Sequence, residues 1–88
     1  LRDEIISVGT VDRTLSHPRE IFKPAIETSA VGIILVHNHP SGDPTPSRED
    51  IEFTQKIKQI ANLMEIELVD HIIIGNNTFL SLKELVKF

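Results

Sequence analysis

The 88 residues, with 40% hydrophobic and 25% charged side chains, suffice for one small globular domain and leave no room for a second. Nine basic residues against thirteen acidic ones give a net charge of -4, the wrong sign for a domain whose main task is neutralising phosphates, so charge does not indicate nucleic acid as a partner. The absence of cysteine excludes disulfides, thiolate metal sites and a cysteine nucleophile, and it confines any metal to nitrogen and oxygen ligands.

The chain opens at Leu1 without an initiating Met and runs straight into an apolar stretch, so it reads as a single domain over residues 1–88 cut from a longer chain, its N-terminal part missing. The apolar runs at 31–36 and 72–74 are far shorter than a membrane span, and no signal-peptide pattern precedes them. A cytoplasmic setting without membrane contact is the expectation.

Glu4-Ile5-Ile6-Ser7-Val8, ahead of Gly9-Thr10-Val11-Asp12, predicts a strand over about residues 2–9 that ends in a turn. A helix then starts at His17-Pro18-Arg19-Glu20, with Ser16 or His17 as cap and Pro18 in the first turn, and runs to about Ser29. Pro24 predicts a kink or a two-piece helix, because it lacks an amide proton and crowds the carbonyl four residues back. Ile21, Phe22, Ala25 and Ile26 form its apolar face. The continuous apolar run from Val31 to Val36 fits a central strand buried on both sides, and it leads directly into His37.

Three of the five prolines fall between Pro40 and Pro46, beside Ser41, Gly42 and Asp43, which predicts a stiff loop. Ser47-Arg48-Glu49-Asp50 opens a second helix in capping-box style, and Ile51, Ile57, Ile60, Ala61 and Met64 carry it to about Leu63. Residues 65–74 read as a third strand, and Gly75-Asn76-Asn77 as a tight hairpin into Thr78-Phe79-Leu80. Ser81 caps a short terminal helix through Val86. The order β-α-β-α-β-β predicts an α/β fold with helices packed on a mixed sheet.

His37 and His39 lie two apart at the carboxyl end of the buried strand, so their side chains point the same way and can share one ion. Asp50 supplies a third ligand if the proline-rich loop folds back into the helix that Ser47 opens. Two imidazoles and a carboxylate are a common set for catalytic zinc, with a fourth position left for water. A bare His-x-His is a weak signal, and Asp50 and Ser47 read equally well as a helix cap.

Taken together, His37-Asn38-His39-Pro40-Ser41-Gly42 and Pro46-Ser47-Arg48-Glu49-Asp50 resemble the signature of the JAMM or MPN metalloprotease family. The wording around the ligands, with Pro18-Arg19-Glu20 and Asp70-His71-Ile72-Ile73-Ile74-Gly75, is similar to the bacterial RadC branch. The resemblance implies a cytidine-deaminase-like α/β/α core with a mixed sheet flanked by helices. It also implies one Zn²⁺ on His37, His39 and Asp50, and a water polarised between zinc and an upstream glutamate. Glu4, which precedes a glycine on a strand, matches that glutamate best, with Ser47 steadying an oxyanion. The implied activity is a zinc metallopeptidase or isopeptidase acting on a protein or peptide.

Other residues have plainer readings. His17 is a capping or surface histidine, Arg19 belongs to a solvated helix start, and Asp70-His71 is a hydrogen-bonded pair supporting the site wall. An HNH nuclease is only a verbal match, since that motif spreads its residues over a hairpin and a helix. A zinc nucleobase deaminase needs cysteines that this chain lacks. Two alternatives from other classes are a non-catalytic protein-interaction module and a DNA-repair-associated binding domain, the latter resting on the RadC name alone. An edge strand near Leu1 is expected to pair with the missing part or with a second copy, giving a homodimer.

Overall fold

The computed structural model describes residues 4–11, 17–39 and 41–88. Its elements follow the order β1 (Ile6–Thr10), α1 (Pro18–Glu27), β2 (Gly32–Asn38), α2 (Arg48–Leu63), β3 (Glu67–Ile74), β4 (Phe79–Ser81) and α3 (Leu82–Val86). The strands form one mixed sheet in the order β1-β2-β3-β4. β1, β2 and β3 run parallel, and β4 returns antiparallel to β3.

Two helical crossovers in a row, each advancing one strand in the same direction, put α1 and α2 on one face of the sheet. The contacts agree. Gly9 of β1 faces Ile21 of α1 and Leu35 of β2, Leu35 pairs with His71 of β3, and the His71 ring meets Thr54 of α2. The core lies between these layers and includes Ile21, Phe22, Ala25, Ile33, Leu35, Ile57, Ala61 and Leu68. The neighbour of His71, Asp70, points to the opposite face, as alternation requires. There its carboxylate accepts the hydroxyl of Ser81 at 2.6 Å and the backbone N–H of Lys83 at 3.1 Å, tying the start of α3 to β3. Helices therefore flank the sheet on both faces, the mixed-sheet α/β arrangement that the resemblance implied.

Several expectations change in detail. β1 runs from Ile6 through Gly9 to Thr10, one residue past the expected end, and Asp12 and Ser16 fall outside the described residues. α1 runs unbroken through Pro24, because Ile21 and Phe22 on one side of the proline and Ala25 on the other anchor the helix to the sheet. Its N-cap, His17, makes no side-chain capping bond. Ile26 does not join the buried face and is 58% exposed. At the second helix the capping box forms as expected, with Ser47 as N-cap. Ser81 caps α3 in the expected way, accepting the backbone N–H of Glu84. Among the described residues, no helix is long and apolar enough to cross a membrane.

Candidate metal centre

Strand alternation places Ile33, Leu35 and His37 on the helix-covered face of β2, and His39 follows in the same phase. The ladder continues one residue past the strand, where the backbone N–H of His39 donates to Ile74 O at 3.0 Å. Both imidazoles are thus held at the carboxyl end of a central strand. Crevices in open α/β sheets form at such strand ends. Their rings lie 4.7 Å apart between centroids, with planes at 90°.

The loop from Ser41 to Ser47 brings Asp50 back to this point. Gly42 adopts φ of +83°, a left-handed conformation that a side chain would disfavour, and its N–H donates to His39 O at 3.0 Å. The β3–β4 turn closes against the loop, with Asn76 N–H donating to Gly42 O at 2.6 Å. Gly75 permits that approach, since a Cβ there would stand 2.4 Å from Gly42 O and 2.7 Å from Pro44 Cδ.

At the start of α2 the two oxygens of Asp50 divide their work. Oδ1 lies 3.2 Å from His37 Nδ1, and Oδ2 lies 2.9 Å from His39 Nε2. Oδ2 also accepts the backbone N–H of Ser47 at 2.7 Å. All three side chains are buried, with exposures of 4% for His37, 8% for His39 and 5% for Asp50. One donor atom from each lies within 4.8 Å of the others. A tetrahedral zinc with bonds of about 2.0–2.2 Å needs donors roughly 3.4 Å apart, so the cluster has the right size and composition for one ion.

Protonation strengthens that fit. His39 Nδ1 lies 2.8 Å from the backbone carbonyl of Asp43, a contact that requires Nδ1 to carry a proton. In the neutral ring Nε2 is then a lone pair, facing a carboxylate oxygen at 2.9 Å. Two lone-pair donors at that distance need a cation or a proton between them. The carbonyl that fixes the tautomer is the kind of partner that metal-bound histidines commonly have.

Burial pushes the Asp50 carboxyl upward. The backbone and hydroxyl of Ser47, then the His39 ring and the nearby His37, outweigh that effect, and the group ends below its ordinary value. Burial likewise keeps His71 neutral, and with the neighbouring His37 it brings the His71 pKa down to about 4.

Not every expected residue reaches the centre. Ser47 does, as the cap that holds Asp50, its Oγ accepting the Asp50 N–H at 3.1 Å. Glu4 does not. It is exposed and stands two residues before Ile6, which pairs with Gly32 at the start of β2, whereas His37 lies at the other end of that strand. At about 3.3 Å per residue, the parallel register, carried on to Glu4, puts it roughly 23 Å along the strand from His37 and roughly 30 Å from His39. The side chains of Asp70 and His71 do not pair with each other. From His71 the Asp70 carboxylate accepts the backbone N–H, at 2.7 Å, and not the ring, which bonds Thr54 instead. Thr54 is the residue the sequence reading missed. Its position four residues after Asp50, on the same helix face, was the available signal.

Beside the cluster lies a polar hollow of about 350 Å³, lined by Asn38, His39, Ser41, Gly42, Gly75 and Asn76. A larger apolar groove, between α1 and α2, contains none of the three donors.

Comparison with known proteins places the chain among its relatives. The chain is 54% identical over 84 residues to a UPF0758 protein of Halalkalibacterium halodurans, covering 96% of this chain and 36% of that protein. It is 57% identical over 81 residues to a UPF0758 protein of Caldanaerobacter subterraneus subsp. tengcongensis, covering 92% and 35%. A UPF0758 protein of Clostridium beijerinckii is 62% identical over 76 residues, covering 86% and 33%. The chain therefore spans about a third of the length of these relatives. The RadC-like JAB domain model matches residues 1–87, taking in both halves of the histidine and aspartate cluster, and the chain belongs to that family.

Proposed function

We propose that this domain is a zinc-dependent hydrolase that cleaves an amide bond in a protein or peptide. The observation that carries the reading is the facing pair His39 Nε2 and Asp50 Oδ2, 2.9 Å apart and buried, with His37 completing a three-donor set. A zinc ion bound there would supply Lewis acidity toward a carbonyl oxygen and lower the pKa of a coordinated water.

The chain's own residues do the rest. His37 and His39 present nitrogen donors from a rigid strand end, and the Asp43 carbonyl keeps His39 in the ligating tautomer. The Ser47 backbone N–H and the positive end of α2 keep Asp50 ionised for the metal. The Ser47 hydroxyl, beside the same helix end, would steady negative charge on a substrate oxygen. Asn38 and Asn76 line the adjoining hollow, where their side-chain amides suit the backbone of an extended peptide. Glu4 stands at the far end of the sheet, so the proposal assigns it no proton transfer.

The test is hydrolysis of a panel of fluorogenic peptides and isopeptides by zinc-loaded protein, with His39→Ala as control. Cleavage that depends on zinc and vanishes in His39→Ala supports the reading. Stoichiometric metal binding without cleavage of any amide would favour the non-catalytic interaction module instead.

A further inference from the structure

His71 and Thr54 touch both arms of the metal centre without contributing a donor to it. Thr54 Oγ1 donates to the backbone carbonyl of Asp50 at 2.7 Å and lies 2.6 Å from His71 Nδ1. A hydroxyl has one proton, so with that proton on the Asp50 carbonyl, His71 Nδ1–H must be the donor in the second contact. The same imidazole stacks against His37, with centroids 6.1 Å apart and planes at 27°. On the sheet it lies one side-chain step inward, since His71 pairs with Leu35 and Ile73 pairs with His37.

Both residues are fully enclosed, Thr54 at 1% exposure and His71 at 0%. His71 Nε2 is buried with no hydrogen-bond partner among the described residues. An apolar side chain of similar size would fill this space without leaving a nitrogen unsatisfied, so packing alone does not account for a histidine here. What the histidine adds is a fixed N–H toward α2 and a flat ring against β2.

We infer that Thr54 and His71 are positioning residues of the metal centre, a clamp that sets the distance between the Asp50 carboxylate on α2 and the imidazoles on β2. Asp50 is held from both ends. Ser47 fixes its side chain, and the Thr54–His71 pair fixes its backbone carbonyl. The inference rests on the reading of the three-donor cluster as a metal site.

The experiment is a Co²⁺ titration of the full chain, followed by visible absorption and by competition with a chromophoric chelator, alongside thermal unfolding of the metal-free protein. Thr54→Val keeps the shape and removes the hydroxyl. It should weaken Co²⁺ binding roughly tenfold or more and shift the absorption band, whereas Thr54→Ser should recover affinity to within about twofold. Where Thr54→Val does not fold, the other half of the clamp gives the test. His71→Asn, whose amide can offer an N–H near the Nδ1 position, should bind more tightly than His71→Leu. Unchanged affinity and spectrum in Thr54→Val or His71→Leu, whatever happens to the melting temperature, would overturn the clamp. A wild-type chain that takes up no Co²⁺ would overturn the metal reading beneath it.

Discussion

Asp50 and Ser47 hold each other by hydrogen bonds in both directions, Ser47 N–H to Asp50 Oδ2 at 2.7 Å and Asp50 N–H to Ser47 Oγ at 3.1 Å. The oxygen that closes this capping box is the one that faces His39, so a helix start and a ligand position are the same structure. Asp50→Asn separates the two roles. An amide oxygen can still accept the Ser47 N–H, so stability of the metal-free protein should fall by only about 1 kcal/mol. Zinc affinity, which needs the charge, should fall by roughly a hundredfold. Chemical denaturation and chelator competition read the two effects independently.

Gly75 makes a second prediction. Its missing side chain lets the β3–β4 turn close on the ligand loop, where a Cβ would meet the Gly42 oxygen at 2.4 Å and the Pro44 ring at 2.7 Å. Gly75→Ala must push that loop outward, at a cost of about 1–3 kcal/mol in denaturant unfolding. The same loop carries the Asp43 carbonyl that orients His39, so zinc affinity should drop together with stability.

Acid should weaken the metal-free fold through His71. Its pKa is brought down to about 4 from an ordinary 6.5, so between those values the unfolded chain binds a proton that the folded chain does not. This contribution is fully present above pH 6.5 and is lost as the pH falls toward 4, by about 3 kcal/mol in total. An NMR titration of the His71 ring in metal-free protein should show a midpoint well below 6. A midpoint at or above 6.5 would show that the ring is not enclosed as described.

Glu4 gives a prediction of the opposite kind. Separated by the length of β2 from the imidazoles, it should be dispensable. Glu4→Gln should leave zinc affinity and any amide hydrolysis within about twofold of wild type, because exposed side chains outside the site contribute little. A large loss of turnover with intact metal binding would restore it as the proton acceptor.

The contrast between Glu4 and Asp50 shows what could be read along the chain. The place of Asp50 at a helix start was legible because its clues are local, a serine three residues earlier, a helix pattern after it and a stiff loop behind it, whereas its role as a ligand came from the motif it shares with His37 and His39. Alternation likewise placed His37 and His39 on one face. The position of Glu4 depends on which residue of β2 lies beside each residue of β1, and strand register is set by long-range pairing that no local pattern records. Thr54 escaped notice for a related reason. Its meaning comes from His71, which lies on another element and is brought to it only by the packing of α2 on β3.

The most direct test of the three-ligand centre is anomalous scattering from crystals of the protein grown with zinc. A single strong peak about 2.0–2.2 Å from one donor atom each of His37, His39 and Asp50 is the predicted result. No peak at that position, or zinc bound only elsewhere on the surface, would contradict it.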